Sequence, residues 1–250
     1  LADAYQCPVD VEFTLNFFQA GAYKINLVQC RPLQVLGTGE PADLPEHVPP
    51  ADILLESRGA VIGRSVVTNV QWVIYVVPSV YSALPVHQRH MVARAIGEIA
   101  HHRELQTGGI LLLGPGRWGT TTPALGVPVT FTEIAPVSTV CEIVAMRDNL
   151  VPDVSLGTHF FNELVENNML YVVLYPLKEG YRVNQGMLED PQYNRLAQLL
   201  PRHAEWQPAV RVIRVSALPG TQGARLEANT LIQRVVCWLD REGAPPGTAV

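Results

Sequence analysis

The chain has 250 residues, of which 48% are hydrophobic and 16% charged, with a formal net charge of -5. This length suits one large domain or two modest ones, and the hydrophobic fraction excludes a disordered chain. The acidic balance argues against nucleic acid as a partner, and no apolar run reaches the roughly 18 residues of a membrane helix. Four scattered cysteines without a C-x-x-C spacing predict reduced thiols, as in a cytoplasmic protein. The first residues, L-A-D-A, do not resemble a signal peptide, and the missing initiator Met suggests a fragment of a longer chain.

The N-terminal segment has the pattern of a β-hairpin, because two short β-rich runs flank a turn at residues 19–22. Side chains alternate along a strand, so Asp10 and Glu12 share one face, and Gln29 and Arg31 share one face of the other run. If these faces coincide, carboxylates suited to Mg²⁺ meet a guanidinium suited to phosphate. The alternative, an ordinary solvated hairpin face, is favoured on pattern alone.

The runs D-V-E-F-T and L-V-Q-C-R-P of this hairpin resemble the end of an ATP-binding domain. The resemblance is to the phosphoenolpyruvate synthase and pyruvate phosphate dikinase family, whose nucleotide-binding domain has an ATP-grasp fold. It implies that Glu12 and Gln29 lie at the metal and that Gln29 and Arg31 lie at the phosphates, and it gives Asp10 no role. The parts that hold the rest of the nucleotide would lie upstream. We therefore expect ATP and Mg²⁺ to bind only together with an upstream ATP-grasp domain.

A segment rich in Gly, Pro and acids, residues 37–50, is predicted to link the hairpin region (1–36) to a second domain (51–242). The tail, 243–250, is expected to be loose. Apolar patterns predict strands at residues 53–57, 60–62, 70–77, 110–113, 137–145, 170–174 and 210–215. Amphipathic patterns predict helices at residues 86–104, from about 158, and at 229–240. Strands mixed with helices predict an α/β or α+β fold, with a mixed β-sheet and flanking helices after the hairpin remnant.

The first chemical motif is G-P-G-R-W-G at residues 114–119, directly after a predicted buried strand. Open α/β sheets usually bind ligands at the carboxyl ends of their strands. The three glycines, Gly114, Gly116 and Gly119, permit unusual backbone angles, and successive N–H groups could form an anion nest. Arg117 adds a bidentate donor. The alternative is a tight structural turn whose Trp118 fills the core, and the two interpretations are evenly balanced.

The second motif is S-L-G-T-H-F-F at residues 155–161. Thr158 is a good helix N-cap, so His159 is predicted in the first helical turn, beside the positive end of the helix dipole. This position favours a neutral imidazole or a nearby bound anion. His159 is thus a candidate base, phosphoryl acceptor or ligand contact. The alternative, a polar first-turn residue without chemistry, is favoured for a lone histidine.

The runs L-G-P-G-R-W-G, L-G-V-P-V and G-T-H-F-F together resemble a domain that follows the ATP-binding region in bacterial phosphoenolpyruvate-synthase-like proteins. The resemblance does not define an activity for this domain. True synthases and dikinases follow the ATP domain with a phosphohistidine domain and a large barrel, and neither is visible here. Phosphoenolpyruvate synthesis by this chain alone is therefore not expected.

Two function hypotheses follow from these observations. In the first, the chain is part of an ATP-dependent phosphotransferase: His159 and Arg117 are candidate catalytic residues, and a nucleotide or phosphorylated small molecule is the ligand. In the second, it is a non-catalytic nucleotide- or anion-binding module that regulates or docks onto the kinase domain. Two weaker candidates remain. The histidines of the 86–104 helix fit a solvated face better than a metal site, and Asp148 and Asp153 could orient Arg117 or a metal.

Overall fold

The protein forms two compact units, Leu1–Leu36 and Gly37–Val250. The computed structural model describes residues 1, 4, 9–32, 43–145 and 154–241. Part of the predicted linker and all of the predicted tail lie outside these ranges.

The first unit contains an antiparallel hairpin of β1 (Val9–Phe17) and β2 (Tyr23–Pro32), joined by a 3₁₀ turn. The backbone register places Glu12 opposite Gln29 and residue 10 opposite residue 31, so the two predicted polar faces coincide. Beyond a bulge after Glu12, three apolar pairs face each other across the hairpin. All six of their side chains are exposed: Phe13 and Leu27, Leu15 and Ile25, and Phe17 and Tyr23.

The second unit contains twelve described strands and six described helices. Its strands are β3 (Ile53–Arg58), β4 (Val61–Ile62), β5 (Val66–Val76), β6 (Gly109–Pro115), β7 (Arg117–Trp118), β8 (Gly126–Val127), β9 (Thr139–Ile143), β10 (Leu170–Leu174), β11 (Arg182–Val183), β12 (Val210–Arg214), β13 (Thr221–Asn229) and β14 (Arg234–Arg241). Its helices are α1 (Pro78–Tyr81), α2 (Val86–Ala100), α3 (Phe131–Ile134), α4 (His159–Glu166), α5 (Gln185–Leu188) and α6 (Leu196–Leu199).

Ten of these strands form one mixed sheet in the order β11-β3-β14-β13-β5-β6-β9-β10-β4, with β12 also paired to β5. The neighbours β5, β6, β9 and β10 are parallel, and the remaining pairs are antiparallel. The sheet is curled, because β3 continues into β4 after only two residues although they pair with opposite parts of the sheet. Apolar side chains from nearly every strand fill the inside of the curl. The mixed sheet with flanking helices agrees with the fold class predicted from sequence.

The predicted helix at residues 229–240 is wrong, because this segment is the turn after β13 followed by strand β14. Leu231 and Ile232 fitted the helical spacing, but both are exposed in the turn. Strand β14 lies between β13 and β3, and its residues Val235 and Cys237 point into the core. The β-branched run in this segment favours a strand, and pairing on both sides outweighed the helical periodicity.

Helix α2 is amphipathic as predicted, although it ends at Ala100. Its buried side includes Val92, Ala95, Ile96 and Ile99, which fall at helical spacing. In the described ranges, no group of three or more His, Cys, Asp and Glu residues could hold a metal ion. No helix within those ranges has both the length and the apolar run that a bilayer crossing requires.

The central parallel strands should dominate the stability of the second unit. Leu112 on β6 is completely buried. Its replacement, Leu112→Ala, should lower the free energy of unfolding by about 2–5 kcal/mol, because it removes buried methyl groups and leaves a cavity. Leu177→Ala is the matched control, since Leu177 is 99% exposed, and it should cost less than about 0.5 kcal/mol. Urea unfolding of both variants checks this, and similar losses in the two would contradict the packing described.

Candidate functional site

The glycine-rich turn lies at the carboxyl edge of the parallel strands, where the sequence predicted a site. Strand β6 pairs with β9 in a register that places Gly114 beside Glu142. The chain then turns into the short strand β7, which pairs with β8. This edge is the usual ligand-binding position of an α/β sheet.

Trp118 anchors the turn by filling the core. Its side chain is 1% exposed, and its indole Nε1 donates a hydrogen bond to the Cys141 carbonyl at 3.0 Å. Gly114 makes room for this ring, since a Cβ on Gly114 would lie 2.5 Å from Trp118 Cζ2. Trp118 and Gly114 therefore have the structural role that the sequence offered as the alternative interpretation.

A buried carboxyl group, that of Glu142 on β9, connects the turn to the second motif. Its Oε1 accepts from the Trp118 backbone N–H at 2.9 Å and from the Ser155 hydroxyl. Its Oε2 accepts from the Ser155 backbone N–H at 2.8 Å and from the Tyr171 hydroxyl at 2.6 Å. Glu142 is fully buried, so these four donors replace the water that a carboxyl group would otherwise bind.

Burial raises the pKa of Glu142, because the charged form loses its hydration, while the hydrogen bonds from Ser155, Tyr171 and Trp118 oppose the rise. Ser155 Oγ also lies 3.1 Å from the Trp118 carbonyl, so its single proton is shared between Glu142 Oε1 and that carbonyl.

The two sequence motifs pack directly against each other. Gly119 has a φ of +70°, and a side chain there would overlap the ring of Phe160. Helix α4 begins immediately after Thr158, whose hydroxyl accepts from the Phe161 N–H at 3.2 Å, as predicted for an N-cap. Phe161 in turn contacts Tyr171 edge-on, with ring centroids 5.2 Å apart. The structure thus brings together residues that are about forty positions apart in sequence.

A pocket of about 180 Å³ lies between the two motifs. It is lined by Arg117, Trp118, Gly119, Thr120, Thr121, Ser155 and Thr158. Among the described residues that line it, the polar groups are one guanidinium and four hydroxyls, and none of these residues is acidic. Such a lining favours an anion.

The backbone N–H groups of the turn do not form the predicted anion nest. Those of Gly116, Arg117 and Gly119 donate to the carbonyls of residues 143, 125 and 127, and that of Trp118 donates to Glu142. Each amide is therefore already used in building the turn. The predicted anion nest does not form, because the amides of the turn are hydrogen-bonded to the strands and to the loop beside it.

Donors for an anion come instead from side chains and from helix α4. Arg117 and four hydroxyls line the pocket, although the hydroxyls of Thr120, Ser155 and Thr158 also donate to groups within the protein. Within the described ranges, the N–H groups of His159 and Phe160 have no acceptor, as expected in the first turn of a helix. With Thr158 in the lining, the positive end of the α4 dipole lies at the pocket.

Not every predicted site residue reaches this pocket. His159 is exposed in the first turn of α4 and is not among the lining residues. Gly114 and Gly116 are buried and are also not among the lining residues. Asp148 and Asp153 lie outside the described residues. In the first unit, Glu12 and Gln29 are opposite each other and exposed, whereas residue 31 is described by its backbone register alone.

Arg89 of helix α2 holds the loop that carries Thr120 and Thr121. Its guanidinium donates to the carbonyls of Leu84, Pro123 and Ser82, at 3.0, 2.8 and 2.6 Å. Three bonds from one charged group are stronger than bonds between neutral groups. Arg89 therefore fixes one wall of the pocket without lining it.

Glu142 was missed from the sequence, although a signal for it exists. It is the one charged residue in the run V-C-E-I-V at residues 140–144, which the structure shows to be a buried strand. A carboxyl group in such a strand is rare unless it has partners. Its partners come from three other segments, and sequence alone does not show that they converge.

Comparisons of this chain with protein-family models, with curated proteins and with solved structures find no match. The site is therefore interpreted from its own geometry and chemistry.

The raised pKa of Glu142 predicts how its contribution to stability changes with pH. The folded protein holds this proton more tightly than the unfolded chain, whose pKa is near 4.5. The protonated carboxyl group therefore makes its full contribution to the free energy of unfolding below that pH. This contribution declines as the pH rises through the pKa of the folded state. We expect the stability difference between the wild type and Glu142→Ala to be largest near pH 4.5 and to fall as the pH increases.

Urea unfolding at a series of pH values measures this difference. Glu163→Ala, in the exposed part of α4, is the matched control and should show no such decline. A Glu142→Ala difference that is constant or grows with pH would show that the buried group is ionised throughout.

Proposed function

We propose that the pocket between the two motifs binds the phosphoryl or carboxylate group of a small molecule. The observation that carries this proposal is the convergence of Arg117, four hydroxyls and the start of helix α4 on one pocket whose described lining residues include no acid. A guanidinium and a helix N-terminus are the groups that proteins use most often for such oxyanions.

The size of the pocket limits what it holds. Sites for whole drug-sized ligands usually have volumes of about 300–1,000 Å³, whereas this pocket has about 180 Å³. It can enclose one phosphoryl or carboxylate group but not a complete nucleotide. The rest of a larger ligand would lie outside, on the side open to solvent.

In the context of the family resemblance, this group belongs to the acceptor or to the phosphoryl intermediate of an ATP-dependent phosphotransferase. Glu12, Gln29 and Arg31 would contact Mg²⁺ and the ATP phosphates, together with an upstream ATP-grasp domain. The coinciding polar face of the hairpin supports this assignment. The chemistry would consist mostly of positioning the transferring group and neutralising its charge.

A second function, a non-catalytic anion-binding module that regulates or docks onto a kinase domain, is favoured by one observation. His159, the candidate phosphoryl acceptor, is not among the residues that line the pocket. Glu142, a buried carboxyl group bonded to Ser155 of the lining, already has four hydrogen-bond donors and is not poised as a base. A site built in this way can bind an anion without transforming it.

Binding of inorganic phosphate tests the function that both candidates share. Arg117→Gln should weaken phosphate binding by at least about tenfold, because a hydrogen bond to a charged group contributes roughly 1.5–3 kcal/mol. Arg103→Gln, which changes an exposed arginine after helix α2, is the matched control and should leave the affinity unchanged. Isothermal titration calorimetry with phosphate and phosphoenolpyruvate measures both variants. Equal affinities in wild type and Arg117→Gln would refute the site.

The variant His159→Ala distinguishes the phosphotransferase from the non-catalytic binding module. It is made in the chain joined to the proposed upstream ATP-grasp domain. If His159 carries the phosphoryl group, turnover should be lost while phosphate affinity is retained, since His159 lies outside the pocket lining. Steady-state turnover and phosphate titration of the same preparation provide the two readouts. Unchanged turnover would exclude the catalytic role and leave the binding module.

A further inference from the structure

A group of three arginines surrounds one buried carboxylate on the face of the sheet opposite to the core. Glu56 of β3 accepts a hydrogen bond from Arg234 of β14 at 3.2 Å. Arg58 of β3 and Arg182 of β11 lie 3.6 and 3.9 Å from the same carboxylate. We call these four residues the Glu56 cluster. It carries two positive charges in excess, although the whole chain has a net charge of -5.

The strand register makes this arrangement costly without a further anion. Arg58 is directly opposite Arg234 in the β3–β14 pair, and Arg182 is directly opposite Glu56 in the β11–β3 pair. Like charges directly opposite each other destabilise a sheet. One carboxylate cannot offset three guanidinium groups, so a bound oxyanion would relieve the remaining repulsion.

Arg58 and Arg182 keep donors available for such an anion. Their side chains are 59% and 55% exposed, whereas that of Glu56 is only 9% exposed. Their separations from Glu56 are longer than those of good hydrogen bonds. The neighbouring pair Arg225 and Glu227 on β13 is neutral by itself and does not compensate the cluster.

The turn between β10 and β11 restricts the position of Arg58. A Cβ at Gly180, which has a φ of +82°, would lie 2.8 Å from Arg58 Cδ, so this turn packs on the arginine side chain. The hydroxyl of Tyr181 occupies the space above Gly59, where another residue would place its side chain. The ring of Tyr181 also contacts Tyr175, whose face is covered by Lys178 at 4.0 Å. These contacts fix the turn that leads to Arg182.

We propose that the Glu56 cluster is a second binding site, specific for the phosphoryl groups of a small phosphorylated molecule. Guanidinium groups held side by side match phosphate oxygens with paired hydrogen bonds. The cluster shares no residue with the pocket at Arg117, so this site does not depend on the function proposed above.

Isothermal titration of the whole chain with pyrophosphate at low ionic strength tests the site. The double variant Arg58→Gln/Arg182→Gln should weaken this binding at least about tenfold, since two charge-assisted contacts are lost. Arg182→Gln alone should give a smaller loss, and it serves as the milder variant because Arg182 has only a 3.9 Å ion pair. Adenosine diphosphate, titrated in parallel, identifies the source of the phosphoryl groups. Tighter binding than pyrophosphate indicates a nucleotide, and equal binding indicates the phosphates alone.

Two control variants complete this experiment. Arg202 has 69% side-chain exposure and pairs with Glu98, which does not belong to the Glu56 cluster. Arg202→Gln should therefore leave the affinity for pyrophosphate unchanged. The double variant should cause the same loss of pyrophosphate binding in an Arg117→Gln background, which assigns the loss to the Glu56 cluster and not to the pocket at Arg117. Pyrophosphate binding that is absent, or that is the same in the folded double variant as in the wild type, would overturn the proposal.

Discussion

The site depends on the Glu142 carboxyl group more than on any other interaction described. This group links strand β9 to the glycine-rich turn through Trp118, to strand β10 through Tyr171, and to the loop before helix α4 through Ser155. Burying a carboxyl group is costly unless every oxygen has a donor. Because the four donors come from three separate segments, the segments must be in place together. The positions of the pocket walls are thus coupled through one side chain.

Because the glycine-rich turn is hydrogen-bonded within the protein, ligand binding in this pocket would rely on side chains. In many phosphate sites the backbone amides of a glycine-rich loop face the ligand. In this protein the amides of Gly116, Arg117 and Gly119 bond to carbonyl groups of the structure. The glycines allow close packing, as where Phe160 lies against Gly119. Recognition would then rest on Arg117 and on hydroxyl groups such as that of Thr121, and both are sensitive to single substitutions.

Sequence patterns predicted much of the fold, including helices α2 and α4 and the parallel strands between them. Strand β10 was predicted with its observed bounds, because a short apolar run between the turn residues Asn168 and Pro176 has few alternatives. The segment of β14 was misread, since Val235 and Val236 fit helical spacing and strand pairing equally well. The two motifs were found separately, whereas their contact and the role of Glu142 depend on long-range pairing. Backbone registers, such as that of Arg58 with Arg234, are likewise invisible in sequence.

The path of β3 through the sheet has a consequence for how the protein reaches its native state. β3 pairs with β14, almost 180 residues later in sequence, and its continuation β4 pairs with β10. Loop closure over such separations must occur before these contacts contribute, which slows folding. On the ribosome, β3 remains without its partner β14 until the last strand has been synthesised. A chain interrupted before β14 would therefore expose an unpaired β3 edge and be prone to aggregation.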